Sequence, residues 1–74
     1  MELENVVKVW EAAQNPTGYS ITKLSSITGI ERSKVEKIVA KLKKENFIEE
    51  KRRYGLTDWV SKGDLESLTE IDLD

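Results

Sequence analysis

The apolar residues of this chain fall into blocks with helical spacing, followed by a stretch in which the spacing changes. Val35, Ile38, Val39 and Leu42 recur at intervals of three and four, the mark of one buried helical stripe, and predict a helix over residues 33–45. Leu3, Val6, Val7, Trp10 and Ala13 predict an earlier helix with one apolar face and Trp10 as its anchor, ended by the turn-formers Asn15-Pro16-Thr17-Gly18. Between them, Thr22 to Thr28 is a short amphipathic piece, with Leu24 and Ile27 on one side and Lys23, Ser25 and Ser26 on the other, and with Thr22 as its N-cap. Gly29 stands where the chain must take a positive φ to leave that piece, and Ile30 plugs the angle before the long helix begins. Ser33 with Glu36 three residues on has the capping-box pattern; Glu31 and Arg32 are the alternative first turn.

After the long helix the pattern shortens. Phe47 and Ile48 lead into a hairpin over Glu49 to Thr57, with Lys51, Arg52 and Arg53 at its tip and with Ile48 and Leu56 facing the core across it. Thr57-Asp58 then caps a short turn holding Trp59 and Val60. Trp59 either covers the core beside Trp10 or sits half-exposed in a dimer patch. The last residues, Leu65 to Asp74, mix leucines with acids at no clear period, which reads as a short terminal helix or as an acidic tail.

At 74 residues the chain holds one small domain, and whatever it does it does on its surface. It has no cysteine or histidine, which removes zinc-finger ligation, thiol catalysis, disulfide staples and histidine-based triads together. The carboxylates stand beside lysines at helical spacing or near the C-terminus, where solvated charge explains them, so the expectation is a protein that is not an enzyme and uses no cofactor or metal. No apolar run approaches a membrane span, and Met1-Glu2-Leu3-Glu4 is unlike a signal peptide, so no membrane partner is expected and a cytoplasmic location is the default.

Charge changes the picture more than composition does. The net charge is −2, yet residues 23–53 carry ten Lys or Arg against five Glu, a local surplus of five hidden by acidic flanks. Binding responds to local potential, so this is the distribution of a basic face beside acidic ends. At about 100° per residue, the side of the long helix opposite its apolar stripe carries Ser33, Lys37, Ala40, Lys41 and Lys44, with Lys34 at its shoulder. Such a face suits the major groove of double-stranded DNA: lysines reach phosphates and base acceptors, Glu36 can accept from a cytosine amino group, and Ala40 allows close approach. The candidate DNA-contacting residues are Lys23, Arg32, Ser33, Lys34, Glu36, Lys37, Lys41, Lys44, Lys51, Arg52 and Arg53. The plainer reading of the helix is a solvated, lysine-rich surface, and that of the hairpin cations is protection of a sheet edge.

The stretch LSSITGIERSKVEKIVAKLKKENFIEEKRRYGLTD resembles the winged helix-turn-helix domains of regulators such as the MarR, IclR and TrmB families. Leu24, Ser25, Thr28, Gly29, Ile30, Ser33, Val35, Leu42, Phe47, Ile48, Glu49, Tyr54, Leu56 and Thr57 occupy the slots of that pattern. Asn46 stands where such families usually carry glycine, and the wing is short. The resemblance implies an α+β fold: a small winged helix-turn-helix over residues 1–63, with three helices and a two- to three-stranded β-wing, followed by residues 64–74 as tail or helix. It implies that Tyr19-Ser20-Ile21 is a short strand pairing with the wing and that Tyr54 packs at the wing base with its hydroxyl free. It also implies a small DNA-binding transcriptional regulator, with a homodimer through the first helix or the residues after Trp59 as the assembly open to it. The same fold serves elsewhere as a protein-docking module, and the leucine-bearing acidic C-terminus speaks for a protein partner.

Overall fold

The structure is a computed structural model and describes residues 1–73. It is an α+β domain with elements in the order α1 (Leu3–Ala12), α2 (Ile21–Thr28), α3 (Arg32–Lys44), β1 (Ile48–Arg53), β2 (Leu56–Ser61) and α4 (Leu65–Leu68). The strands form a two-stranded antiparallel sheet running from Ile48 opposite Ser61 to Arg53 opposite Leu56.

Helix α3 buries the stripe read from its spacing, Val35, Ile38, Val39 and Leu42, against α1 and α2. Its start is one residue earlier than expected: Glu31 occupies the N-cap without a side-chain bond, and Glu36 turns to Arg32 instead of closing a capping box. The end is a Schellman turn, in which the Asn46 amide donates to Lys43 O and the Phe47 amide to Leu42 O. Asn46 takes φ 68, the left-handed conformation asparagine tolerates. In α1 the buried side chains are Val6, Val9 and Trp10, with Ala13 beyond its end, whereas Val7 is half-buried and Leu3 lies at the surface. The helix is therefore rolled toward Val9 from the stripe its first residues suggest.

Helix α2 begins at Ile21 with Ser20 as its N-cap, not Thr22: the Ser20 hydroxyl accepts from the Lys23 amide at 3.2 Å. Leu24 is fully buried, but Ile27 is 48 % exposed, contrary to the pairing of the two on one face. The reason lies in the turn that follows. The Ser25 hydroxyl donates to Ile30 O at 2.6 Å, and the Thr28 hydroxyl donates to Leu24 O while accepting from the Ile30 amide. These bonds roll Ser25 and Thr28 inward and Ile27 out. Gly29, at φ 74, reverses the chain, and Ile30 is buried between α2 and α3.

The hairpin departs furthest from expectation. Its turn is Tyr54-Gly55, both residues at positive φ, so Lys51, Arg52 and Arg53 belong to β1 and not to the tip. Trp59 and Val60 lie in β2, and Thr57-Asp58 is strand and caps nothing. Alternation then puts Ile48, Glu50 and Arg52 on one face with their partners Ser61, Trp59 and Thr57, leaving Leu56 opposite Arg53 on the other. Ile48 is buried as expected, but Leu56 is 70 % exposed and Tyr54 96 % exposed.

The root of the hairpin is tied to the helices. Trp10 Nε1 donates to Lys62 O at 3.0 Å, the Ser61 amide donates to Ala13 O at 3.0 Å, and the Ser61 hydroxyl donates to Trp10 O. Of the expected strand Tyr19-Ser20-Ile21 only Tyr19 pairs, in an isolated antiparallel bridge with Trp59 that engages its amide and carbonyl, because Ser20 and Ile21 are taken up as the cap and first residue of α2. Beyond β2, Asp64 caps α4 by accepting from the Ser67 amide at 2.8 Å, and Leu68 is fully buried in the core with Ile71 and Leu73 packed against it. Leu65 remains exposed. Asp74 lies outside the described residues.

Candidate nucleic-acid interface

The charged surface is built from α3 outward. Four interior positions fix the roll of this helix, so the opposite side must carry Ser33, Lys37, Ala40 and Lys44, and all four are exposed. Arg32, Lys34 and Glu36 are exposed on its flanks, as is Lys23 on α2. Lys41 differs from the others. It is half-buried, on the flank shared with Lys34, where α3 faces α1.

Two hollows border the exposed line. One, of about 340 Å³, lies between the start of α1 and α3 and is lined by Met1, Glu2, Asn5, Lys34, Lys37 and Ile38. The other, of about 320 Å³, lies between α3 and β2 and is lined by Ile21, Glu36, Val39, Ala40, Lys43 and Trp59. The outward face of α3 therefore stands as a ridge with no bulky apolar side chain along its crest.

Ion pairing divides the cations into two groups. Arg32 pairs with Glu36 at 3.5 Å and Lys34 with Glu31 at 3.9 Å, both exposed pairs on one helix. Such contacts are worth only a few tenths of a kcal/mol and yield readily to a phosphate. Among the described residues Lys37, Lys41, Lys44 and Arg53 form no ion pair. The outward line thus presents uncompensated positive charge where α3 is most accessible.

Residues 43, 50 and 52 form a strut that the sequence reading missed. Lys43 Nζ lies 3.3 Å from Glu50 Oε1, and Arg52 Nε lies 3.3 Å from Glu50 Oε2, so one carboxylate joins α3 to the outer part of β1. The Lys43 ammonium, and after it the Arg52 guanidinium, holds the Glu50 carboxyl below the ordinary carboxylate value. Lys43 also stands 5.7 Å from the centre of the Trp59 ring, within cation–π range. Trp59 is itself half-buried, packed against the core from the hairpin. On the other face of β1, Lys51 Nζ reaches Pro16 O at 3.5 Å. Glu50 and Arg52 share the Ile48 face by simple alternation, the one signal that pointed to this strut.

Lys51, Arg52 and Arg53 are all exposed, and they run along β1 toward the turn. Glu50 ties Lys43, on the flank of α3, to the cationic strand, so that strand lies beside the cationic crest of the helix, an arrangement suited to holding a polyanion along two directions. No helix among the described residues is long and apolar enough to cross a membrane. No family model, curated protein or solved structure matches the chain.

Proposed function

We propose that this protein is a winged-helix module that binds duplex DNA, with α3 in the major groove and the β1–β2 hairpin on the adjacent backbone or minor groove. The observation that carries the reading is the exposed, unpaired line of Lys37 and Lys44 on α3, with Ser33 and Ala40 between cations and no bulky apolar side chain. A helix with its side chains is about 10–12 Å across, which fits the roughly 12 Å major groove. The cations of β1 then supply the positioning contacts that phosphates provide in most protein–DNA interfaces. The Tyr19 bridge to Trp59 supports the winged order, because it supplies the third strand position beside the hairpin.

In this reading the protein is a small, cytoplasmic, non-catalytic regulator. A monomer carries a single reading helix and discriminates only a few base pairs; a homodimer through α1 or the segment after Trp59 extends that reach. The test is an anisotropy titration of random duplex DNA over a range of salt. Neutralising about five phosphates gives a slope of log affinity on log salt near −4 to −5.

One observation favours a second reading. The hollow of about 320 Å³ beside Trp59 is bordered by Ile21, Val39 and Ala40, an apolar seat suited to a side chain from a protein partner. A flat salt titration, or no DNA binding at low salt, transfers the assignment to protein docking.

A further inference from the structure

The turn of the hairpin carries a residue that neither local geometry nor packing explains. A two-residue turn with positive φ at both central positions favours Asn-Gly or Asp-Gly, because only small or locally hydrogen-bonding side chains tolerate the first position. Here the second position is Gly55, at φ 78, as the turn requires, but the first is Tyr54 at φ 53. A bulky side chain in this conformation is a backbone outlier and carries strain. Burial does not offset that strain, since Tyr54 is 96 % exposed, and its side chain makes no hydrogen bond among the described residues. Leu56, the next side chain beyond the turn, is 70 % exposed, so the far end of the hairpin presents an aromatic ring beside an aliphatic one.

The surroundings of this apolar end are cationic and braced. Arg53, opposite Leu56, is one residue from the ring, and Arg52 and Lys51 precede it. Arg52 is tied through Glu50 to Lys43 of α3, and Lys51 reaches Pro16 O from the opposite face. The hairpin is thus held from both sides while its end projects, as a probe must be held if it is to enter something.

We propose that Tyr54 is a stacking wedge that enters DNA at an unpaired or weakly stacked base step, with Arg53 and Arg52 on the flanking phosphates. The inference rests on the DNA reading above and adds to it a preference for distorted duplexes. An aromatic ring can replace the stacking partner of a base, and its loss lowers affinity by about fivefold to a hundredfold. Unstacking costs least where pairing is already absent, at a bulge or mismatch, or at flexible pyrimidine–purine steps, so the benefit is greatest there. Arg53 next to the ring, with Arg52 and Lys51 behind it along β1, matches a polyanion that also offers π faces. A lipid surface demands a larger apolar area than Tyr54 and Leu56 together provide.

The test compares the affinity of the whole chain for a short, fully paired duplex with its affinity for the same duplex carrying one unpaired base. A fluorescent base analogue beside the unpaired position reports stacking. Wild type is expected to prefer the bulged duplex by about tenfold and to change the analogue's emission. Tyr54→Phe keeps both effects, while Tyr54→Asn brings the ratio to about one and silences the analogue. Tyr54→Asn also relieves the turn, so its melting temperature is no lower than that of wild type, which removes misfolding as a cause. Equal wild-type affinity for the two duplexes, or a preference that survives Tyr54→Asn, overturns the wedge and leaves the DNA reading intact. Failure to bind either duplex overturns both. Binding to phosphatidylserine vesicles that depends on Tyr54, in the absence of DNA binding, overturns both and assigns the tip to lipid.

Discussion

The α2–α3 pair and the β1–β2 hairpin each reverse the chain through left-handed backbone, but they are held in different ways. At the helix turn, Gly29 is followed by a buried Ile30, and the hydroxyls of Ser25 and Thr28 bind the backbone on both sides of it. Helix α3 then sinks four side chains into the core. The hairpin buries Ile48 and part of Trp59 at its root, and its outer half depends on the strand ladder and the Lys43–Glu50–Arg52 strut. Packing is short-ranged and insensitive to salt, whereas exposed ion pairs are screened and weak. One element is therefore held by salt-insensitive packing, and the outer half of the other by its strand ladder and by salt-sensitive pairs. Under the proposed DNA reading, this difference would let the helix specify and the hairpin position.

Stability gives the largest contrast. Leu42→Ala removes a fully buried side chain of α3 and should cost about 3 kcal/mol, or roughly 15 °C in melting temperature. Leu56→Ala, on the outer hairpin face, should stay within about 0.5 kcal/mol of wild type. Thermal melts of the two decide the matter, and a large loss from Leu56→Ala would mean that the face is covered by another copy.

On the proposed function, the two elements should also differ in what they contribute to DNA preference. Lys37→Ala should alter discrimination among sequences by about 1–3 kcal/mol per affected base pair. Arg53→Ala should weaken all sequences alike and reduce the salt slope by about one. Titrations against a small panel of duplexes separate these outcomes; uniform loss from both would put α3 on the backbone instead of in the groove.

Next comes the helix turn itself. No neighbour lies within 4 Å of where a Cβ on Gly29 would stand, so Gly29→Ala meets only backbone strain, about 1–2 kcal/mol, measurable by urea denaturation. A greater loss would show that α3 shifts when the turn is strained.

The smallest effect belongs to the α4 cap. The Ser67 backbone and side chain hold the Asp64 carboxyl below its ordinary value. Because the folded value is the lower one, the cap stabilises the fold at neutral pH and is lost as pH falls through and below the ordinary carboxylate range. Asp64→Asn should flatten this part of the melting-temperature profile, and an unchanged profile would assign the acid dependence to other groups.

Much of the helical framework was legible without coordinates. The stripe on α3, the left-handed Gly29, the buried Ile30 and the basic middle of the chain all follow from local chemistry, because a helix's buried face repeats within a single segment. Boundaries drifted where side chains chose backbone partners elsewhere, as when Ser25 and Thr28 turned α2 and exposed Ile27. The hairpin was not legible to the same degree. Residues 49–53 are all charged, so no apolar alternation marks their register, and nothing local places the tip at Tyr54-Gly55 instead of at the cations.

The sequence by itself determined which helix would carry the basic face, because the period of Val35, Ile38, Val39 and Leu42 leaves only one side for Lys37 and Lys44. Only the tertiary structure decided where the hairpin points and which of its residues stand free. Its placement is set by pairing across the chain, Tyr19 against Trp59 and Ser61 against Ala13, and these partners lie too far apart in sequence for local pattern to bring them together.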